Sequence, residues 1–115
     1  MGDGMSAEFR QLLLDRKLLR ARITRQMVVK EIRAAEADLQ DARDSLHRRK
    51  FKWATIQAYY SMFHSARSLL YHRGYREKSH YAVLVALRGL YARELEADLM
   101  IRFEDGMDLR QEADY

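Results

Sequence analysis

Trp53-Ala-Thr-Ile-Gln-Ala-Tyr-Tyr-Ser-Met-Phe-His-Ser-Ala-Arg-Ser-Leu-Leu-Tyr71 is the stretch on which the fold turns. It contains no Gly and no Pro, and Ile56, Tyr59, Phe63, Ala66 and Leu70 step by three and four residues, the spacing of one helix face. Tyr60 widens that face, and His64 lies close to it. A helix whose buried face is aromatic suits the centre of a small bundle. Its tyrosine rings are then inside, and each hydroxyl needs a hydrogen-bond partner.

The surrounding chain permits such a bundle. It has 115 residues, no proline, no cysteine and five glycines, so long helices meet few interruptions. Without cysteine, disulfides and thiolate zinc sites are excluded. No apolar run has the length of a membrane span and no secretory signal pattern opens the chain, so a cytoplasmic protein with no membrane contact is expected. The net charge of +4 is unevenly distributed: residues 1–93 hold 19 Lys and Arg against 9 Asp and Glu, whereas residues 94–115 hold 2 against 8. A basic body attracts nucleic acid, and it can equally pair with the acidic end of its own chain or of a second copy.

Outward from the central helix, one all-α domain is expected over residues 1–115, with a loose terminus at residues 1–5. Ser6 caps a basic first helix that continues to about Arg22, an extra element over residues 6–23 laid against the bundle. Thr24 caps a second helix to about Arg49, with Val28, Ile32, Ala35, Leu39, Ala42 and Leu46 in a heptad-like stripe. The basic run from His47 to Lys52 is a tight turn or a continuation of helix. The central helix ends at Gly74, Tyr75 to Lys78 is a short loop, and Ser79 caps a fourth helix containing Gly89, a residue that lets a neighbour approach closely. Leu95, Leu99, Phe103 and Met107 mark a last helical segment.

Ala58-Tyr-Tyr-Ser-Met-Phe-His-Ser-Ala-Arg67, Leu69-Leu70, Gly74, Lys78-Ser-His80 and Leu109-Arg-Gln-Glu-Ala-Asp-Tyr115 together resemble the HEPN family (higher eukaryotes and prokaryotes nucleotide-binding domain), in its small prokaryotic branch. The resemblance covers roughly residues 30–115 and implies an up-and-down bundle of four to five helices, commonly a homodimer. Many such proteins are encoded beside a minimal nucleotidyltransferase, the two acting as a toxin–antitoxin pair. Active members are metal-independent ribonucleases that carry an Arg, a polar neighbour and a His a few residues on, with two copies facing one cleft in the dimer.

On this chain Arg110 matches the family Arg and Gln111 its polar neighbour. Arg holds phosphate bidentately and stabilises its developing charge. The His position falls on Tyr115, whose phenol, with an ordinary pKa of about 10, is a poor base at neutral pH but can donate a hydrogen bond or stack on a base. Tyr60, His64 and Arg67 are further candidates for lining an RNA or nucleotide cleft. His64 has no carboxylate at helical spacing on its own helix, and a core histidine satisfied by other contacts is the plainer reading. Arg73 with His80 forms a looser Arg-to-His pair that also reads as an ordinary helix-capping loop. No paired His and carboxylate spacing of the zinc-helix kind occurs, so no metal and no cofactor are expected. Three readings remain open: a ribonuclease-like component, a non-catalytic dimeric adaptor that binds a nucleotidyltransferase or a nucleotide, and, from the residues alone, a helical dimer with no assigned activity.

Overall fold

The computed structural model describes residues 6–114. The expected loose terminus at 1–5 and the site candidate Tyr115 lie outside the described residues. The elements are α1 (Ala7–Leu14), β1 (Leu18–Arg20), α2 (Arg25–His47), α3 (Phe51–His72), β2 (Tyr75–Glu77), α4 (His80–Leu90) and α5 (Ala97–Asp114). The expected all-helical bundle forms, with a two-stranded ribbon added at one side. The Cα trace extends over 50 × 29 × 25 Å, because α2 and α3 make one long hairpin.

Three helix starts follow the cap chemistry. The side-chain oxygens of Ser6, Thr24 and Ser79 accept hydrogen bonds from the backbone N–H groups of Phe9, Met27 and Ala82 at 3.0, 3.2 and 3.1 Å. The basic joint between α2 and α3 is a tight turn: Arg49 takes φ +60°, and Lys50 N–H donates to the Ser45 carbonyl at 2.8 Å. Gly74, at φ +82°, ends α3 as expected.

The first helix departs from the expectation of a continuous element to Arg22. It stops at Leu14 because Arg16 adopts φ +57°, and Lys17 N–H reaches back to the Leu12 carbonyl at 2.9 Å. The physical reason lies in Phe9 and Leu18, both fully buried. On one helix, residues nine apart face opposite sides; breaking the helix lets both enter the same core. The chain after the break pairs antiparallel with the segment read as a short loop, in the register Leu18↔Glu77, Leu19↔Arg76 and Arg20↔Tyr75. Backbone bonds from Ala21 to Gly74 (2.9 Å) and from Lys78 to Lys17 (2.8 Å) extend the ladder at both ends.

The core is built on α3. Tyr59, Phe63, Ala66 and Leu70 are buried against Val83, Leu84 and Leu87 of α4 and Met100, Phe103 and Met107 of α5. In α5 the stripe begins at Met100 rather than Leu99, which is exposed. The helix runs back along α3, so that Phe103 stacks on Tyr59 with ring centroids 6.1 Å apart and a Cβ at Gly106 would meet Met62. Gly89 admits the ring of Phe9: a Cβ there would lie 2.9 Å from Phe9 Cδ2. The heptad stripe of α2 divides by size. Ala35 and Ala42 pack on α3, while Ile32, Leu39 and Leu46 are exposed. No helix among the described residues is long and apolar enough to cross a membrane.

Candidate functional site

Arg110, in the last turns of α5, sits half-buried with its guanidinium carbon 5.3 Å from the centre of the Tyr59 ring. The Tyr59 hydroxyl in turn lies 2.8 Å from Nδ1 of His80. The His80 ring stacks on Phe63 at 4.2 Å between centroids, and Tyr60 closes the cluster edge-on, 5.1 Å from Tyr59 and 6.1 Å from His80. Four elements meet here without adjacency in sequence. α3 presents the aromatic face, α5 brings the cation down onto it, β2 leads the chain across, and the Ser79 cap fixes the first residue of α4.

The protonation states follow from burial and charge. Burial pushes the Tyr59 phenol up to about 12, and the charge and hydrogen bond of Arg110 only partly offset it. Tyr59 therefore keeps its proton at neutral pH. His80 is held below its ordinary value by burial first, then by the positive charges of Arg110 and Arg67. A protonated phenol beside a neutral imidazole can bond in two ways: the Tyr59 O–H donates to a bare Nδ1, or Nδ1–H donates to the phenol oxygen and leaves the second ring nitrogen of His80 free to accept a proton.

Arg67 and His64 belong to a different network. Arg67 Nε and Nη2 donate to Glu77 Oε2 at 2.9 and 2.6 Å, and Nη1 donates to Glu31 Oε1 at 3.0 Å. His64 Nδ1 lies 2.9 Å from the same Glu31 oxygen, and its Nε2 is 3.6 Å from Asp38. The carboxylate partners absent from α3 itself are supplied by α2 and β2. His64 and Arg67, expected as cleft-lining residues, are both engaged here with protein carboxylates. Arg73 does not join His80: it lies over the Tyr91 ring at 4.5 Å and reaches Glu94 at 4.0 Å. Gln111 is exposed beside Arg110, and no group of three or more His, Asp or Glu side chains among the described residues is placed to hold a metal ion.

His80 joins this cluster although the sequence did not single it out among the candidate site residues. It was visible as part of Lys78-Ser-His80, but its contact with Tyr59 spans 21 residues and depends on how α4 packs.

The family model of the HEPN domain matches residues 28–115. The chain belongs to the HEPN domain family, a bundle class to which ribonucleases and nucleotide-binding proteins contribute. Comparisons with curated proteins and with solved structures gave no match.

Proposed function

We propose that the protein is a HEPN component that binds RNA and cleaves it without metal, acting as the toxin-type member of a pair with a minimal nucleotidyltransferase. The observation that carries this reading is the convergence of Arg110, Tyr59 and His80. Arg110 holds the scissile phosphate and stabilises the charge that develops on it. His80, neutral at working pH and in the tautomer whose Nδ1–H donates to the Tyr59 oxygen, accepts at its outer nitrogen the proton released by the attacking 2′-hydroxyl and becomes an imidazolium. The 2′-oxygen then bonds to phosphorus and the P–O5′ bond breaks, the 5′-oxygen taking a proton from water, which gives a cyclic phosphate end and a 5′-hydroxyl end. In this assignment His80 takes the role that the linear motif puts at Tyr115. A homodimer that faces two such sites across one cleft is part of the reading, supported by the exposed stripe of Ile32, Leu39 and Leu46 along α2.

A second reading, a dimeric adaptor that docks a nucleotidyltransferase or a nucleotide and cleaves nothing, is favoured by one feature. Arg110 is packed on Tyr59, which gives it a structural use of its own. The discriminating experiment is cleavage of single-stranded RNA by the wild type, Arg110→Ala and His80→Gln, with end-group analysis of the products. Under the enzyme reading, loss of the Arg lowers the rate by about 10²–10³ and loss of the His by about 10²–10⁴. Equal cleavage by all three proteins refutes the site. Binding without cleavage in the wild type favours the adaptor.

A further inference from the structure

Beside His80 the β1–β2 ribbon opens onto a groove of about 650 Å³, lined among others by Arg20, Arg76, Lys78, Ser79 and His80, with Arg67 and Glu77 as a mutually neutralised pair. The side chains of Arg20, Arg76 and Lys78 are exposed, and none of the three forms an ion pair among the described residues. Arg20 is held in place by its contact with the Tyr75 ring, 5.5 Å from the centroid. The start of α4 faces the same space through Ser79 and His80, adding the positive end of a helix whose first N–H groups have no partner within it. Three cations are thus gathered on one ribbon with no carboxylate to satisfy them, and the floor leads to His80.

We propose that this groove binds the sugar-phosphate backbone of a single-stranded RNA and guides the strand past the Arg110–His80 pair. The proposal rests on the functional reading above and adds a second, separate contact region to it. A polymer fits better than a lone nucleotide. Small-molecule sites are concave and mostly apolar, whereas this groove is open and predominantly polar in lining. Its cations are spread over the ribbon: Arg20 on β1 stands opposite Tyr75, Arg76 on β2 stands in the adjacent row and so on the other face, and Lys78 follows just beyond, all three bordering the groove. Spread charges of this kind match several phosphates in a row rather than one, and they make affinity salt-dependent through the counterions that the strand releases.

The test removes the charge and keeps the side-chain bulk. A variant with Arg20→Gln, Arg76→Gln and Lys78→Gln is compared with a control carrying Arg25→Gln, Lys30→Gln and Arg33→Gln, three cations on α2 that line a different surface. Anisotropy of a short fluorescent single-stranded oligoribonucleotide is titrated between about 50 and 200 mM salt. For a single strand each phosphate contact contributes about 0.7 to the slope of log affinity on log salt, so the groove variant loses about 2 from that slope and the control keeps it. Equal losses in the two variants, or no loss in the groove variant, overturn the proposal, as does a wild type that binds no strand. AMP competing as well as the strand also overturns it in favour of a nucleotide pocket. Thermal melts check folding. If the triple variant melts early, the single variants Arg76→Gln and Lys78→Gln, each at an exposed position, carry the same comparison. Arg110→Ala, run in parallel, separates the two readings. Cleavage unchanged by Arg110→Ala with binding lost in the groove variant refutes the catalytic assignment and leaves the groove standing.

Discussion

Replacing Arg67 by methionine keeps the length of the stem but takes the cation from between two carboxylates. Its guanidinium lies over the Phe63 ring at 4.5 Å and donates two hydrogen bonds to Glu77 Oε2. The side chains of Glu31 and Glu77 are 9% and 7% exposed, that of Arg67 is 23% exposed, and Glu77 Oε1 is buried with no hydrogen-bond partner. Burial works against the charge on Arg67, yet the bonds and charges of Glu77 and Glu31 outweigh it and raise the pKa above the ordinary value. Removing one partner of a buried ion pair costs about 3–5 kcal/mol, because the remaining charge stays buried and unmatched. The partial exposure of Arg67 argues for the lower end, about 3 kcal/mol. Against a total stability of about 5–15 kcal/mol for a domain, that is a large share. At roughly 4 °C per kcal/mol the midpoint falls by about 12 °C. Urea titration and a thermal melt read both quantities. Adding Glu31→Gln and Glu77→Gln to the Arg67→Met background removes the stranded charges and recovers most of the loss. A single variant that melts within a few degrees of wild type, or a triple variant no more stable than the single one, refutes the claim that this network is a structural charge balance.

Two further outcomes follow from the same geometry. His80 titrates lower in the folded protein than its ordinary pKa of about 6.5, so the unfolded chain takes up the proton first. Its contribution to stability is full above about pH 6.5 and is lost as pH falls toward the folded value; urea midpoints across that range should decline in wild type and decline less in His80→Gln, and parallel curves would contradict it. Gly89→Ala brings a Cβ to 2.9 Å from the Phe9 ring. Overpacking of about 1–3 kcal/mol then exceeds the gain in helix propensity of about 1 kcal/mol, and a raised melting temperature would show that α1 yields instead.

The parts legible in the sequence were those set by local chemistry. The period of Tyr59, Phe63, Ala66 and Leu70, the caps Ser6, Thr24 and Ser79, and the stop at Gly74 each act within a few residues, and each holds, whereas Ile56 at the start of that face stays half-buried outside the core. The close approach permitted at Gly89 was legible too, though its occupant, Phe9, was not. What escaped depends on distant partners. The turn at Arg16 uses a left-handed conformation without the glycine that usually signals it. Leu18 to Arg20 is too short to show strand alternation and becomes a strand only through Tyr75 to Glu77. The carboxylate partners of His64 and Arg67 lie on α2 and β2, and the contact of His80 with Tyr59 forms only once α4 packs on α3, so neither set of partners shows in local spacing.

The N-terminal segment bears on the site more than its position suggests. The family match begins at residue 28, yet Phe9 and Leu18, both before it, are fully buried in the core. Phe9 packs edge-on against Tyr75, with ring centroids 5.6 Å apart, and fills the notch at Gly89. β1 then pairs with β2 along its length, so β2 is held from beneath by α1 and from the side by β1. β2 carries Glu77, which anchors Arg67, and three residues later the chain delivers His80 onto Phe63 and Tyr59. The matched bundle supplies Arg110, Tyr59 and His80 themselves. The segment before it fixes the path that sets the position of His80, and it adds Arg20 to the groove. An element that reads as an accessory helix therefore packs beneath the strand that leads to the Tyr59–His80 cluster and forms one wall of the surface proposed to carry the strand of RNA.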